Sequence, residues 1–253
     1  MGPTFRGKAV FSAVTLGACL GVGIGVGCST VSAPVLRHET GEVLGEKHFR
    51  AYGHFETSRI FAPGAAGDAN VFQISQDHSV FQGSYFGVQA DGGVLPYLDL
   101  QLGANFTAGG GGWRLGAKYQ VLRRGRIAVA AMAGYAAASG GGNVTYLTAT
   151  TPETISLNLS AWTLDLSAPA SFRISPWIQL YGGPMMLHSG VSGSYGGAVV
   201  GDSYNDFGMN LGLRIGTGLL FGDFEAAELM VQDPFTGGER FIPYMGVSFG
   251  VLL

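Results

Sequence analysis

The sequence predicts an all-β fold, a transmembrane antiparallel up-and-down β-barrel, and three observations support this prediction. Glycine accounts for 43 of the 253 residues, charged residues make up only 12%, and mean hydropathy is +0.27. After the N-terminal region, apolar residues recur in short alternating segments and never in the run of about 18 that a membrane helix requires. The segment FGMNLGLRIGTGLLF at 207–221 alternates large apolar residues with glycine and an occasional charge. Such a strand suits lipid on one face and a crowded polar lumen on the other.

The N-terminus is typical of an export signal, because a short basic region precedes the almost wholly apolar stretch Ala9–Gly27. A cysteine that closes such a stretch resembles the lipid-attachment residue of a bacterial lipoprotein. Cys28 stands where apolar sequence gives way to polar sequence, whereas Cys19 has the more suitable residues before it. We therefore predict lipid attachment at Cys28, with Cys19 as the alternative, and an uncleaved helical anchor as the competing interpretation.

Three regions follow from this reading of the N-terminus. Residues 1–27 are predicted to be a lipoprotein-type signal peptide, residues 28–46 a tether without periodicity, and residues 47–253 the barrel. Because the chain has no cysteine after Cys28, the predicted barrel has neither a disulfide framework nor a thiolate metal site.

Five segments in the first half of the predicted barrel alternate as strands do. His48–Ser58 sets phenylalanine and small residues against charged and aromatic ones. Tyr85–Val94 sets apolar residues against Gln and Asp, and Tyr97–Thr107 is the most regular of all, with leucines opposite polar residues. Trp113–Leu122 opposes large apolar residues to basic ones, and Arg126–Ser139 opposes them to a row of alanines.

Five further segments complete the count in the second half. Thr154–Ser167 slips in phase near its middle, which predicts a β-bulge, and Trp177–His188 is irregular and contains a proline. Asn205–Phe221 is the segment described above, Phe224–Gln232 is weaker, and Phe241–Leu253 alternates cleanly to the C-terminus. Ten is an even number, as single-chain bacterial barrels require. Eight strands remain the alternative, because the first segment and Phe224–Gln232 are the weakest.

Short and long connections alternate along the chain. The short ones lie at 94–96, 123–125, 174–176 and 222–223. Most of the longer ones lie at 59–80, 139–153, 189–204 and 233–240. Barrels of the outer membrane have short periplasmic turns and long surface loops. Because the predicted number of strands is even, the tether and the C-terminus are both expected to lie on the periplasmic side.

With these features the chain resembles small bacterial outer-membrane β-barrels, and in particular a lipid-anchored one. The resemblance covers residues 47–253 and includes the last segment, FIPYMGVSFGVLL, which is similar to the C-terminal recognition strand of such proteins, although it ends in Leu253 in place of an aromatic residue. It implies a location in the bacterial outer membrane and contact with outer-membrane lipid. It does not imply a particular activity.

If the apolar face of each strand contacts lipid, the charged residues on the opposite face line the lumen. These residues are Arg50, His54, Glu56, Asp91, Asp99, Arg114, Lys118, Asp165, Arg214 and Glu228. Their signs nearly balance, and charges removed from water must pair. We therefore expect a salt-bridged polar plug and a structural or surface-interaction role, with a narrow channel for small solutes as the first alternative.

A surface hydrolase acting on lipid or peptide is the second alternative. His78 follows Asp77 in a predicted long loop, and His188 stands near Ser189 and Asp202. Adjacent residues of an extended chain point in opposite directions, so neither pair forms a dyad by itself. We expect no catalytic residue, no metal and no cofactor.

The expected partners follow from the charge and from the long loops. A net charge of −3 without a basic tract gives no indication of nucleic-acid binding. A surface ligand or protein would bind through the loops at 59–80, 139–153 and 189–204.

Overall fold

A computed structural model shows the chain as an all-β molecule. It describes residues 31–33, 35–65, 72–77, 84–107, 110–147, 152–195, 198–216, 219–232 and 239–253. No helix of these residues is long and apolar enough to cross a membrane. The strands are β1 (Val31–Ala33), β2 (Phe49–Thr57), β3 (Arg59–Ala65), β4 (Phe72–Asp77), β5 (Ser84–Leu95), β6 (Leu98–Thr107), β7 (Gly110–Arg124), β8 (Ile127–Leu147), β9 (Pro152–Ser167), β10 (Ala170–Ser175), β11 (Ile178–Tyr195), β12 (Ala198–Gly216), β13 (Leu220–Gln232) and β14 (Glu239–Leu252).

Eleven of these strands form one antiparallel sheet that closes on itself. Its order is β10-β11-β12-β13-β14-β2-β5-β6-β7-β8-β9, and β9 and β10 both pair with β8 on one side and β11 on the other. β9 and β10 are two parts of one pass, so the barrel wall has ten passes. The prediction of a ten-stranded up-and-down barrel is therefore confirmed. The short strands β1, β3 and β4 form a separate sheet.

The exterior of the barrel is apolar, as the alternation predicts. On β12, Phe207, Met209 and Leu211 are 50%, 65% and 67% exposed, whereas the inward-facing Asn210 is buried. Large exposed hydrophobic side chains on nearly every pass would be costly in water and are favoured against lipid. The molecule is therefore a transmembrane barrel of the outer-membrane type.

Two predicted loops are wrong because their residues continue the strands. β8 extends to Leu147 and β9 begins at Pro152, so most of the stretch 139–153 pairs as a ladder. β11 and β12 likewise pair from Tyr195↔Ala198 toward the short-turn end, and this ladder includes most of the stretch 189–204. These stretches are rich in Gly and Ser and lack alternation, but ladder hydrogen bonds involve only the backbone. The predicted loop 59–80 contains β3 and β4.

The predicted turn at Gly222-Asp223 is also misplaced. β12 ends at Gly216 and β13 begins at Leu220, so the chain reverses four to five residues earlier than expected. The alternation of apolar residues happens to run across this reversal, which hides it. The facing of β13 is also the opposite of the prediction, with Leu229 buried inside the barrel and Glu228 exposed outside.

The bulge predicted in the middle of β9 is absent from the described strand. The pairing with β8 keeps its register through Ser160 and Ala161, and the inward parity includes Leu159 and Ala161, both buried. The apparent slip in phase reflects apolar residues on the inward face of the upper strand. The pass is interrupted lower down, at residues 168–169 between β9 and β10.

The segment before β2 lies inside the barrel. Residues 35–44, here called the lumenal segment, run from the long-loop end to the short-turn end, and Val35 to Thr40 are at most 3% exposed. At the short-turn end Gly45 and Lys47 adopt positive φ values of 83° and 64°, and the chain reverses into β2. Lys47 N donates to Gly93 O at 3.1 Å, which attaches this reversal to β5.

This placement changes two expectations. Residues 28–46 were expected to form a tether, but residues 35–44 of this stretch lie inside the barrel, where charge pairing orders them. Val31–Ala33 pairs with β3, which follows the end of β2 at the long-loop end. The described beginning of the chain therefore lies at the end opposite to the periplasmic one that strand parity predicts.

Candidate functional site

The barrel interior is the site on which the predicted polar residues converge, and it has two layers. The layer nearer the long-loop end is apolar and packs around Val35 and Leu36. Its members are Val35, Leu36, Met185, Leu187, Ala227, Leu229, Val231, Ile242 and Tyr244. The layer nearer the short-turn end is charged.

Nine of the ten residues predicted to line the lumen face inward. Arg50, His54, Glu56, Asp91, Asp99, Arg114, Lys118 and Asp165 are buried, and Arg214 is partly buried. Glu228 is the exception and faces outward, because β13 directs its apolar residues, among them Ala227 and Leu229, into the apolar layer of the lumen. The inward carboxylates of β13 are instead Asp223 and Glu225, both buried.

Glu39 of the lumenal segment is the centre of one ion-pair group. Its carboxylate forms an ion pair with Arg50 and accepts a hydrogen bond from Lys118 Nζ at 2.7 Å. Tyr52 Oη donates to the same carboxylate at 3.3 Å. Arg50 also pairs with Asp91, and Lys118 Nζ lies 3.4 Å from Asp99. The segment is therefore joined directly to β2 and β7, and through Arg50 and Lys118 to the two strands between them, β5 and β6.

Further ion pairs lie elsewhere around the lumen. Arg37 Nε and Arg114 Nη2 both approach Asp165 Oδ1, at 3.1 Å and 3.2 Å. Arg214 donates to both oxygens of Asp223, each at 2.7 Å. Such bidentate arginine–carboxylate contacts are the strong and geometrically specific kind.

Glu225 fixes the backbone of the lumenal segment. Its carboxylate accepts hydrogen bonds from the backbone N–H groups of Arg37 and His38. It also accepts from Tyr181 Oη at 3.2 Å and from Asn210 Nδ2 at 3.0 Å. Arg214 Nη2 donates to the carbonyl of His38 at 2.9 Å. His38 is thus held on both sides of its α-carbon.

His38, His54 and Glu56 form a third group. His38 Nε2 lies 3.4 Å from Glu56 Oε2, and His54 Nδ1 lies 3.7 Å from the same oxygen. One ligand atom from each residue lies within 4.8 Å of the others. All three side chains are at most 9% exposed.

The buried residues of the lumenal segment were missed by sequence reasoning. Arg37, His38 and Glu39 occur in a stretch without period, and nothing local shows that such a stretch is buried. One observation could have indicated their burial. Charges of both signs are closely spaced at Arg37, His38 and Glu39, and the predicted lumen of the adjacent barrel is itself charged. Asp223 and Glu225 were missed because they follow a misplaced turn.

The histidines considered for a hydrolase do not form a site among the described residues. His188 lies on the exterior, where its Nδ1 is 2.8 Å from Asn205 Oδ1 and its ring contacts Trp162. Ser189 faces inward and is hydrogen-bonded to Thr163. The two neighbours therefore diverge. His78, Cys19 and Cys28 lie outside the described residues, as do the side chains of Asp77 and Asp202.

No protein-family model matches the chain. No curated protein matches it either. Among solved structures it is similar to the outer membrane protease OmpT from Escherichia coli, with 9% identity, coverage of 84% of this chain and 99% of that chain, and a TM-score of 0.47. It is also similar to Ail, the attachment invasion locus protein of Yersinia pestis, with 12% identity, 82% and 99% coverage, and a TM-score of 0.39.

A third similar structure is an outer membrane channel from Pseudomonas putida F1. The identity is 9%, the match covers 91% of this chain and 97% of that chain, and the TM-score is 0.40. Protease, attachment and channel are descriptions of those three proteins. All three are, like this chain, outer-membrane barrels.

Proposed function

We propose that this protein is a closed outer-membrane barrel with a structural or surface-interaction role, and that its lumenal segment blocks passage of solutes. The observation that carries the proposal is the burial of Val35 to Thr40 between walls that contact them from several sides. A barrel of this size encloses little more than its own side chains, and here it also encloses a backbone segment. A narrow channel is the outcome that conductance measurements would reveal if the proposal fails.

The proposed surface role is supported by the hairpins at the long-loop end. On the outer face of β12, apolar side chains extend from Phe207 to Ile215, whereas Ser203 and Asn205 are exposed polar residues. The upper part of this strand therefore suits water. The β8–β9 and β11–β12 hairpins would present this part to a surface ligand or protein.

We further propose that the protein has no catalytic role and that its exterior contacts outer-membrane lipid. The divergence of His188 and Ser189 supports the first statement, and the apolar exterior supports the second. A lipid on Cys28 or Cys19 remains a prediction from sequence. Cys28 precedes Val31 by three residues, which span at most about 11 Å. Together with the pairing of β1 at the long-loop end, this favours the outer face over the periplasmic face that was expected.

Planar-bilayer conductance tests the closed lumen. We expect no stepwise conductance from the full chain, and stepwise conductance from a variant that lacks residues 35–44. Deletion of residues 148–151, which connect β8 and β9, is the matched control and should leave the barrel closed. Open-channel steps from the full chain would overturn the proposal whether or not the deletion variant folds.

A further inference from the structure

We propose that His38, His54 and Glu56 form a binding site for a divalent transition-metal ion, with Zn²⁺ as the ion that fits. Two imidazoles and one carboxylate are a ligand set that zinc accepts with a water molecule in the fourth position. No metal was expected from the sequence, because His38 stands in a stretch taken for a tether. His54 and Glu56 share the inward face of β2, and the fold brings His38 to them.

The distances match coordination better than direct hydrogen bonding. Two ligand atoms held tetrahedrally at about 2.1 Å from Zn²⁺ lie about 3.4 Å apart. The distances from Glu56 Oε2 to His38 Nε2 and His54 Nδ1 are 3.4 Å and 3.7 Å. A cavity of about 10 Å³, close to the volume of one water molecule, lies beside His54 and is lined also by Tyr85, Asn105 and Arg114.

Unsatisfied polar atoms point to the same place. Among the described residues, both ring nitrogens of His38, Nδ1 of His54 and both carboxylate oxygens of Glu56 are buried without a hydrogen-bond partner. Buried polar groups without partners are costly. Protonated imidazoles would need acceptors for all their N–H groups, whereas a metal ion would satisfy one nitrogen of each ring and one carboxylate oxygen.

The charges around the lumenal segment give an independent indication. Eight carboxylates and six permanent cations are joined to the segment or to one another by ion pairs and hydrogen bonds, which leaves two negative charges. The carboxylates are Glu39, Glu42, Glu56, Asp91, Asp99, Asp165, Asp223 and Glu225, and the cations are Arg37, Arg50, Arg114, Lys118, Arg173 and Arg214. Each of these cations pairs with another acid, and the ion-pair partners of Glu56 among the described residues are the two histidines. One divalent ion at Glu56 compensates the two charges.

The backbone of His38 is arranged for this role. Its φ of 50° lies in the left-handed region, which non-glycine residues rarely adopt. Glu225 and Arg214 hold the N–H and carbonyl groups on either side of its α-carbon. The ion would thus join the lumenal segment to β2 at a rigid point.

Metal binding by the full chain in detergent is the decisive experiment. The protein carries a purification tag without histidine, Cys19 and Cys28 are replaced by serine, and a chelator removes bound metal before Zn²⁺ is titrated. We expect about one Zn²⁺ per chain by calorimetry and by elemental analysis after dialysis. Binding of Co²⁺ should give the visible absorption of a four-coordinate site. No stoichiometric binding by this folded chain would overturn the proposal.

Ligand variants test which residues bind the ion. His38→Gln, His54→Gln and Glu56→Gln should each weaken Zn²⁺ binding more than about tenfold, since even changes to residues that only hydrogen-bond a metal ligand cost that much. His188→Gln replaces a half-buried histidine of the exterior and Glu228→Gln an exposed glutamate, and both variants should bind as the parent does. Equal binding by Glu56→Gln and Glu228→Gln would contradict the assignment.

A glycine pair tests the geometry without removing a ligand. A β-carbon on Gly87 would overlap the imidazole of His54, whereas one on Gly92 of the same strand would meet no atom within 4 Å. We expect Gly87→Ala to weaken Zn²⁺ binding and Gly92→Ala to leave it unchanged. Conductance is measured separately, so failure of the metal site would leave the proposed closed lumen untouched.

Discussion

Lys118 illustrates how much a single buried residue can contribute to the stability of the barrel. Its side chain is fully buried and contacts two carboxylates, those of Glu39 and Asp99. Ammonium and carboxylate groups lose their hydration when buried, and only their mutual contacts compensate for it. Removal of one cation from such a group leaves the surrounding carboxylates uncompensated.

We therefore predict that Lys118→Met lowers the free energy of unfolding by about 3–5 kcal/mol. Urea unfolding in lipid vesicles, followed by tryptophan fluorescence, measures this change. Arg124→Met removes an exposed cation at the end of the same strand and should change stability by less than about 0.5 kcal/mol. Equal effects of the two substitutions would mean that the interior pairs contribute no more than surface charges.

The inward direction of Lys118, Arg50 and their neighbours could be predicted from alternation alone. The identity of their partners could not. Glu39 lies in a polar stretch whose burial depends on the whole barrel forming around it, and no pattern within the stretch records that. Sequence periodicity therefore identified the walls of the site but not its centre.

At the scale of elements, the lumenal segment is the feature that most changes the expected topology. β1 lies at the long-loop end and Glu46 is exposed at the short-turn end, although only a dozen residues separate them. The segment thus crosses from one end of the barrel to the other in an extended form.

We predict that a cysteine replacing Asn158, which is exposed near the long-loop end, reacts with a membrane-impermeant maleimide on intact cells, whereas one replacing Glu46 reacts only after the outer membrane is permeabilised. Both variants are made with Cys19 and Cys28 replaced by serine, so that each chain has a single thiol. Protection of residue 158 together with labelling of residue 46 would mean that the barrel has the opposite orientation.

The strands differ in how well their sequences predict them, and β12 and β13 show why. The part of β12 from Phe207 to Ile215 lies within the lipid band, where the two faces meet chemically different surroundings, and its alternation is unambiguous. β13 encloses the apolar layer with Ala227, Leu229 and Val231, so both of its faces contain apolar residues. Where the lumen itself is apolar, alternation no longer distinguishes inside from outside.

At the scale of the whole molecule, closure of the sheet is the property that matters most. β14 pairs with β2 from Gly246↔Glu56 to Leu252↔Arg50, and this seam joins the last pass to the first. A closed ladder has no free edge at which a detergent could begin to separate the strands.

We predict that the protein is found in the outer-membrane fraction and migrates faster in unboiled than in boiled samples on an SDS gel. The Val247→Pro variant removes a backbone donor from the seam and should lose this mobility difference. A soluble wild-type protein without a heat-dependent shift would contradict the barrel.

The position of the lumenal segment also constrains the order in which the protein can assemble. The segment leads directly into β2, and β2 forms the closing seam with β14. A chain enclosed in this way cannot enter a finished cylinder except by pulling a free end through its full length. Residues 35–44 must therefore be in place before β14 meets β2, so that the barrel is wrapped around its own N-terminal segment as it closes.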